Sequence, residues 1–206
     1  IIRAFEERRT DILIGTQMIS KGLDFENLTV VGILNADNLL NFPDFRAHER
    51  SFQLMEQVSG RAGRRQKQGK VIIQTSDPQN KIIRLVLRHD YYGMYKIQAE
   101  EREAFNYPPF CRLIRISLKH KDRAMLNSFA GNLGDDLKQI FGNRVLGPEY
   151  PVISQVQLYY IKTILIKIEK QKPLSRAKDM IRESIERIEK LKGAGGLKIS
   201  VDVDPY

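Results

Sequence analysis

Two consecutive prolines, Pro108 and Pro109, divide the chain into halves with different hydrophobic patterns. Each proline fixes its own φ and disfavours the α region in the residue before it, so a regular helix does not run through this point. Before the prolines, continuous apolar runs alternate with helical spacing, whereas after them apolar and polar residues alternate. Because 206 residues are enough for two domains, we predict one domain at residues 1–105 and another at 106–206.

The first half has the pattern of an α/β domain. Three continuous apolar runs are typical of strands that are covered on both faces of a parallel sheet: residues 11–16, 29–36 and 70–75. Helical spacing of apolar residues occurs in three further stretches: residues 1–9, 47–58 and those from 82 onward. Strands and helices in alternation indicate an open α/β sheet. Since the first helical pattern begins abruptly and without a methionine, we expect the chain to be a fragment of a longer protein.

The second half predicts an α+β domain. Alternating or β-branched segments predict four strands: residues 112–118, 152–157, 159–169 and 197–203. Apolar residues at spacings of three and four predict two helices: residues 123–141, and a stretch from a Ser175 cap to about Lys192. The resulting order, β-α-β-β-α-β, is that of the split βαβ, ferredoxin-like fold.

Positive charge is concentrated in the second half. The chain carries a formal net charge of +9, yet residues 1–110 hold 16 lysines and arginines against 14 acidic residues. Most of the excess therefore lies in residues 111–206, which favours a polyanionic partner for that domain. No apolar run approaches the roughly 20 residues that cross a bilayer, and the start of the chain does not resemble a signal peptide. We expect no membrane partner.

Potential metal ligands are few and scattered. Cys111 is the single cysteine, which excludes a disulfide framework or a cysteine-based zinc site within these residues, and we expect it in the core. Asp202 and Asp204 alternate with valines and share one strand face, so they predict salt bridges or caps, with metal binding as the alternative. Three histidines are far apart in the sequence and predict no metal site: His48, His89 and His120.

The sharpest functional signal is residues 57–64, which read Gln-Val-Ser-Gly-Arg-Ala-Gly-Arg. A guanidinium group provides a fixed fork of donors that stays charged, so Arg61 and Arg64 suit phosphoryl oxygens whose charge shifts during hydrolysis. Gly60 and Gly63 let the backbone bend tightly and approach a nucleotide. The alternative is a basic surface turn after a helix.

A second signal lies upstream, in residues 15–25 (GTQMISKGLDF). Thr16 ends a predicted strand, where a hydroxyl and exposed amides can meet a ligand. Lys21, Gly22 and Asp24 then supply a cation, a flexible point and a carboxylate. An ordinary turn with a solvated Asp24 is the alternative. The two motifs in this order, about 40 residues apart, are much more specific than either one alone.

The two motifs resemble motifs V and VI of superfamily 2 helicases, which lie on the second RecA-like lobe of those motors. The resemblance implies that residues 1–105 are part of such a lobe, in which motif V meets nucleic acid and motif VI faces ATP. It implies the following roles: Thr16 and Lys21 for DNA binding; Gln57, Gly22, Asp24, Gly60 and Gly63 for ATP binding; Arg61 and Arg64 as catalytic arginine-finger candidates. Either arginine fits the finger role, which stabilises charge in the transition state.

Further segments narrow the resemblance to the primosomal replication-restart helicases, and together they span nearly the whole chain. These segments are residues 44–50 (DFRAHER), 107–110 (YPPF) and 201–205 (VDVDP). The resemblance implies an ATP-driven 3′-to-5′ DNA helicase that recognises stalled or branched forks and initiates primosome assembly. It also implies partners in the bacterial cytoplasm, at the nucleoid: forked and single-stranded DNA, single-stranded-DNA-binding protein and other primosome proteins.

The sequence does not contain the G-x-x-x-x-G-K-[ST] loop that cradles phosphates, and Gly69-Lys70 enters a predicted strand rather than a helix. We therefore expect ATP and Mg²⁺ to be held mainly by an upstream lobe, and these 206 residues alone not to hydrolyse ATP. Zinc is likewise expected only in an upstream region, because the cysteine pairs of the resembling family do not occur in this stretch.

In the second domain, Tyr159 and Tyr160 stand beside Lys162 at the head of a predicted strand. Their rings are suited to stack on unpaired bases while the lysine meets a phosphate. Packing of the rings against the neighbouring helix is the alternative. Two other functions stay open for the chain: a non-catalytic DNA- or protein-docking module, and a related superfamily 2 translocase that drives branch migration or restriction.

Overall fold

The computed structural model describes residues 1–16, 28–62 and 69–205 of the chain. It divides into two compact units, Ile1–Glu100 and Glu101–Tyr206. The first unit contains a parallel pair of strands with helices, and the second contains an antiparallel sheet with helices. The protein is therefore a mixed α/β chain with one parallel and one antiparallel sheet.

The first unit alternates helices with two strands. Its elements are α1 (Ile2–Glu6), β1 (Val30–Ile33), α2 (Ala36–Leu40), α3 (Ala47–Ser59), β2 (Lys70–Ile73), α4 (Lys81–Leu87) and α5 (Tyr91–Ala104), the last of which runs past Glu100. Strands β1 and β2 are parallel neighbours, with Val31 opposite Val71. The parallel sheet, the strands within residues 29–36 and 70–75, and the helix over 47–58 are confirmed.

Helices supply most of the core of the first unit. Helix α3 buries Phe52 and Met55, as the spacing of its apolar residues predicts. Helix α4 buries Ile82, Ile83 and Val86 in the same cluster. Its start is fixed by a side-chain cap, because the Asn80 Oδ1 accepts a 3.0 Å hydrogen bond from the backbone N–H of Ile82.

Residues 11–16 do not form the predicted strand. Ile12 and Ile14 are 74% and 80% exposed, and the segment has no regular secondary structure. A strand is held by hydrogen bonds to a neighbouring strand, and β1 and β2, the strands of this unit in the part of the chain that the structure describes, pair with each other. The apolar run shows only that the segment is hydrophobic, so the prediction was wrong.

The second unit is built on a five-stranded sheet with two long helices. Its elements are β3 (Cys111–His120), α6 (Arg123–Phe141), β4 (Val145–Glu149), β5 (Gln155–Val156), β6 (Tyr159–Glu169), α7 (Leu174–Glu189) and β7 (Lys198–Val203). The strand order is β4-β6-β3-β7, and β5 pairs with the first residues of β6. All of these pairs are antiparallel.

One face of the sheet forms the core with both helices. Alternate residues of β3 and β6 are fully buried, among them Ile116 and Ile164, because successive side chains of a strand point to opposite faces. Helix α6 contributes Leu126, Phe129 and Leu133 at the predicted spacing of three and four. The predicted bounds of this helix, 123–141, are confirmed.

Two predicted boundaries in the second unit were wrong. The main strand before β6 is β4, not residues 152–157, and only Gln155–Val156 of that segment pair with β6. Gly147 and Pro148 concealed β4, because proline cannot donate to a ladder and is tolerated on an edge strand, which β4 is. Ser175 is not the cap of α7: the helix starts at Leu174, and Pro173, with φ near −66°, occupies the N-cap position.

Lys167 anchors the Pro108–Pro109 segment to the sheet of the second unit. Its Nζ donates a 2.7 Å hydrogen bond to the backbone oxygen of Phe105 and lies 3.8 Å from the centre of the Tyr107 ring. Burial lowers the pKa of Lys167. Cys111 lies in the core, as predicted, and burial raises the pKa of its thiol.

Two glycines of α6 differ in the space around them and give a matched test of the packing. A Cβ at Gly134 would lie 2.7 Å from the Pro148 Cδ of β4, whereas a Cβ at Gly131 would meet nothing within 4 Å. We expect Gly134→Ala to lower the free energy of unfolding by about 1–3 kcal/mol through overpacking. Gly131→Ala should raise it by about 0.5–1 kcal/mol through helix propensity. Urea unfolding of both variants measures the difference, and equal effects would contradict the close approach of α6 and β4.

Candidate functional site

Residues 57–64, which we call the Gly/Arg motif, begin in the last turn of α3. Gln57 is exposed in the last turn of the helix, on a side away from the buried Met55. Gly60 is the C-cap residue, and its N–H bonds to the Glu56 oxygen at 2.9 Å. Arg61 follows in a turn, half-buried, with its N–H bonded to the oxygen of Val58 at 3.2 Å. The structure thus holds the start of the motif at the end of a rigid helix, with Gln57 open to a ligand.

The remaining residues of the two motifs are placed as follows. Thr16 is exposed and follows an irregular segment, so the prediction that it ends a strand was wrong. Five predicted site residues lie outside the described residues: Lys21, Gly22, Asp24, Gly63 and Arg64.

Polar groups join the carboxyl ends of β1 and β2, the edge where α/β sheets commonly bind ligands. The Asp37 carboxylate accepts hydrogen bonds from the Thr75 hydroxyl at 2.6 Å and from the Ser76 N–H at 2.8 Å. These bonds lower the pKa of Asp37, the Thr75 bond most. The carboxylate is engaged in tying the two strand ends together, which is a structural role.

In the second unit, Tyr150 is held between two cations. The Arg123 Nε donates a 3.1 Å hydrogen bond to the Tyr150 oxygen, which itself donates to Asn127 at 2.8 Å. The Lys162 Nζ lies 4.7 Å from the centre of the Tyr150 ring. The hydrogen bond from Arg123 is the main reason that the pKa of Tyr150 is lowered. This arrangement keeps two positive charges next to one aromatic ring.

Two further cations lie close to the ring of Tyr159. The Lys198 Nζ lies 4.4 Å from the centre of its ring, and the Lys121 Nζ lies 5.8 Å from it. The pKa of Tyr159 is lowered, first by a hydrogen bond from Lys198 and then by the two ammonium charges. The six residues of both groups form what we call the cation–tyrosine cluster: Lys121, Arg123, Tyr150, Tyr159, Lys162 and Lys198.

The residues of the cluster come from five segments, and the sheet register accounts for the group around Tyr159. His120 at the end of β3 lies opposite Tyr160 at the start of β6, so Lys121 follows directly beside Tyr159. Lys198 opens β7 opposite Lys119 of β3. Tyr160 packs against the core instead of joining the cluster, so for this ring the alternative of internal packing is confirmed.

Charge pairing separates the cluster from five arginines of the second unit. Arg115 and Arg112 pair with Asp202 and Asp204 at 3.0 Å and 3.7 Å, which confirms the salt-bridge interpretation of these carboxylates. Three more arginines pair with acidic residues: Arg144, Arg182 and Arg187. Within the described residues, the four cations of the cluster form no ion pair with a carboxylate. Their charge is therefore available to an external anion.

The histidines have local partners. The His89 Nδ1 lies 2.9 Å from the Glu56 carboxylate, and the His120 Nδ1 accepts a 2.9 Å hydrogen bond from the N–H of Asp122. In the ranges 1–16, 28–62 and 69–205, no group of three or more metal-ligating side chains is placed to hold an ion. Within the same ranges, no helix combines the length and apolar character needed to cross a membrane.

Sequence reasoning found Tyr159 and Lys162 but missed four members of the cluster: Lys121, Arg123, Tyr150 and Lys198. Three of these residues lie more than 35 positions from Tyr159 in sequence, and none of the four shares a motif with it. The available signal was the placement of basic residues at predicted strand ends. Only the register shows that those ends meet.

Two family models match different parts of the chain. Residues 103–206 match the family model described as the primosomal protein N C-terminal domain. Residues 1–66 match the model described as the helicase conserved C-terminal domain. The two matches fall on the two halves that carry the cation–tyrosine cluster and the Gly/Arg motif.

Curated relatives named replication restart protein PriA are similar to the whole chain. The protein of Bacillus subtilis (strain 168) is 40% identical over 208 residues, which cover 100% of this chain and 26% of the relative. That of Synechocystis is 35% identical over 211 residues, with 100% and 24% covered. That of Treponema pallidum is 37% identical over 203 residues, with 98% and 30% covered. The chain spans about a quarter of the length of these relatives, and it belongs to the family defined by the primosomal protein N C-terminal domain.

Proposed function

We propose that this chain is the C-terminal part of an ATP-dependent DNA helicase that restarts stalled replication forks. Its similarity to replication restart proteins along its whole length and its match to a helicase C-terminal domain support the proposal. Translocation runs 3′ to 5′, and the protein works in the bacterial cytoplasm at the nucleoid. Its partners are forked and single-stranded DNA, single-stranded-DNA-binding protein and other primosome proteins. Zinc belongs to an upstream region of the protein.

In the first unit, the Gly/Arg motif completes a nucleotide site whose main cradle lies upstream. Bound ATP supplies the phosphoanhydride that is hydrolysed, and Mg²⁺ is held with it on that upstream lobe. Gln57 is exposed at the end of α3 and Arg61 follows in the next turn. From these positions, the amide contacts a phosphate oxygen and the guanidinium stabilises developing charge. Arg64, Gly60 and Gly63 belong to the same motif: Arg64 is the second arginine-finger candidate, and the two glycines contribute to ATP binding.

The motif at residues 15–25 couples the nucleotide to DNA. Thr16 is exposed, and its hydroxyl is suited to bind a backbone phosphate together with Lys21. Gly22 and Asp24 link the nucleotide to that contact. Residues 1–66 match a helicase C-terminal domain, which supports this assignment.

The second unit binds DNA through the cation–tyrosine cluster. The observation that carries this proposal is that its four cations rest against tyrosine rings and not against carboxylates. Lysine and arginine at such a surface neutralise phosphates, and tyrosine faces stack on unpaired bases. Binding of this kind does not depend on base sequence, as a protein that meets forks anywhere in a genome requires.

The second unit is a ferredoxin-like domain at residues 106–206, following a partial RecA-like lobe at 1–105. The strand order β4-β6-β3-β7 and the antiparallel pairing of these strands support this proposal. So does a helix between β3 and β4 and another between β6 and β7. In this arrangement each βαβ unit is split by a strand of the other.

Single lysine variants of this chain test the DNA-binding proposal. We expect Lys162→Ala and Lys198→Ala each to weaken binding to forked DNA by about three- to tenfold at about 0.1 M salt, equally for two unrelated sequences. The control is Lys178→Ala, which removes an exposed lysine from α7, away from the cluster. Fluorescence anisotropy measures the affinities. Equal losses in all three variants would contradict the assignment of the cluster, and absence of binding would favour a protein-docking role.

A further inference from the structure

The segment that joins β4 to β6 is an uncharged hairpin with exposed aliphatic side chains. Residues 151–158 read Pro-Val-Ile-Ser-Gln-Val-Gln-Leu and contain no ionisable group. Val156 lies opposite Tyr159, and Gln157 turns the chain with a φ of 54°. Four aliphatic side chains of this hairpin are 48–68% exposed: Val152, Ile153, Val156 and Leu158. Grouped exposure of this kind makes the hairpin a candidate binding surface.

The hairpin rises directly from the cation–tyrosine cluster. Tyr150 precedes its first residue and Tyr159 follows its last. Each of these tyrosines carries two cations. Positive charge therefore lies at both ends of the hairpin, which we call its feet. The exposed aliphatic side chains between them form what we call its apolar tip.

The apolar area of the hairpin and the charge beside it together indicate which kind of molecule binds there. Four aliphatic side chains offer roughly 300 Å² of apolar area, well below the roughly 800 Å² that each partner buries in a stable protein–protein interface. The four cations at the feet lack carboxylate partners within the described residues, which suits a polyanion. An uncharged tip is compatible with the apolar faces of bases that have lost their stacking partners.

We propose that the hairpin inserts its aliphatic side chains at an unstacked base step of branched DNA, where duplex and single strands meet. The cations at its feet hold the flanking phosphates. Apolar side chains that wedge between base steps are a general means of binding distorted DNA. A fork junction already has an interrupted stack, so less unstacking is needed there than in continuous duplex. The hairpin would thus make the second unit prefer branched DNA to duplex, and this inference rests on the proposed DNA binding.

The test uses this chain with forked DNA that carries 2-aminopurine at the junction, a base whose fluorescence rises when it unstacks. The wild-type chain should raise the fluorescence and bind the fork more tightly than duplex. The double variant Ile153→Ser/Leu158→Ser should bind duplex as the wild type does, but lose the rise in fluorescence and about tenfold in preference for the fork. Both side chains are exposed, so circular dichroism should show an unchanged fold.

Leu87→Ser is the matched control, because Leu87 is 65% exposed on the first unit and Leu158 is 68% exposed. It should leave both signals intact. A double variant that retains the fluorescence rise and the fork preference overturns the insertion. So does a wild-type chain whose self-association depends on the hairpin while its fork binding does not, since the tip would then serve a protein interface. A wild-type chain that binds no DNA contradicts the proposed function itself, which is a distinguishable result.

Discussion

The full-length protein carrying Arg61→Ala is expected to lose DNA-stimulated ATP hydrolysis by about 10³-fold or more. Charge spreads over the equatorial phosphoryl oxygens in the transition state, and a positioned guanidinium stabilises it more than the ground state. Arg61 stands at the first turn after α3, where the helix end fixes its backbone. Affinity for DNA should stay nearly unchanged, because the proposed DNA contacts are made by other residues. Steady-state phosphate release with saturating forked DNA measures the effect.

Two further variants, Arg64→Ala and Arg84→Ala, are needed to interpret the result for Arg61→Ala. Arg64→Ala should show a loss of the same order, or a smaller one if Arg61 is the finger. The control is Arg84→Ala, an exposed arginine of α4 outside the motif, and it should hydrolyse ATP at the wild-type rate. If Arg61→Ala and Arg64→Ala both hydrolyse ATP at the wild-type rate, the Gly/Arg motif is a basic surface turn without a catalytic role.

Patterns of local origin predicted most helices and strands of the fold, although α2 was not predicted. Helix α6 follows its apolar spacing from Arg123 to Phe141, because burial of one helical face depends on a period that the sequence displays directly. Pairing between strands is not local. Residues 11–16 are as apolar as β2, yet they lack a partner strand among the described residues, and β4 was hidden by Gly147 and Pro148 at a sheet edge.

The two candidate sites differ in the same respect. One is visible in the local sequence, and the other depends on how the strands pair. The Gly/Arg motif is continuous in sequence, so residue type and spacing were enough to select Gln57 and Arg61. Part of the cation–tyrosine cluster is assembled by register: Lys198 reaches Tyr159 only because β7 pairs with β3 and β3 pairs with β6. A sequence shows that Lys198 and Tyr159 each stand at a strand end. It does not show that those ends are neighbours.

Salt should control the affinity of this chain for DNA more strongly than any single substitution. If the four cations of the cluster each neutralise a phosphate, the logarithm of the affinity should fall with the logarithm of salt with a slope of about −2.8 on single strands and about −3.6 on duplex. Between about 50 and 200 mM salt, that slope corresponds to a loss of about 50- to 150-fold. Removal of one cation should make the slope shallower by about one.

The slope for wild-type chain on forked DNA is the most direct test of the claim that the cluster exists to bind phosphates. Anisotropy titrations at four or more salt concentrations provide it, with Lys162→Ala, Lys198→Ala and the control Lys178→Ala measured beside the wild type. The account predicts a steep slope that becomes shallower in the two cluster variants and stays unchanged in the control. A slope near zero, or one that Lys178→Ala alters as much as Lys198→Ala does, would contradict it.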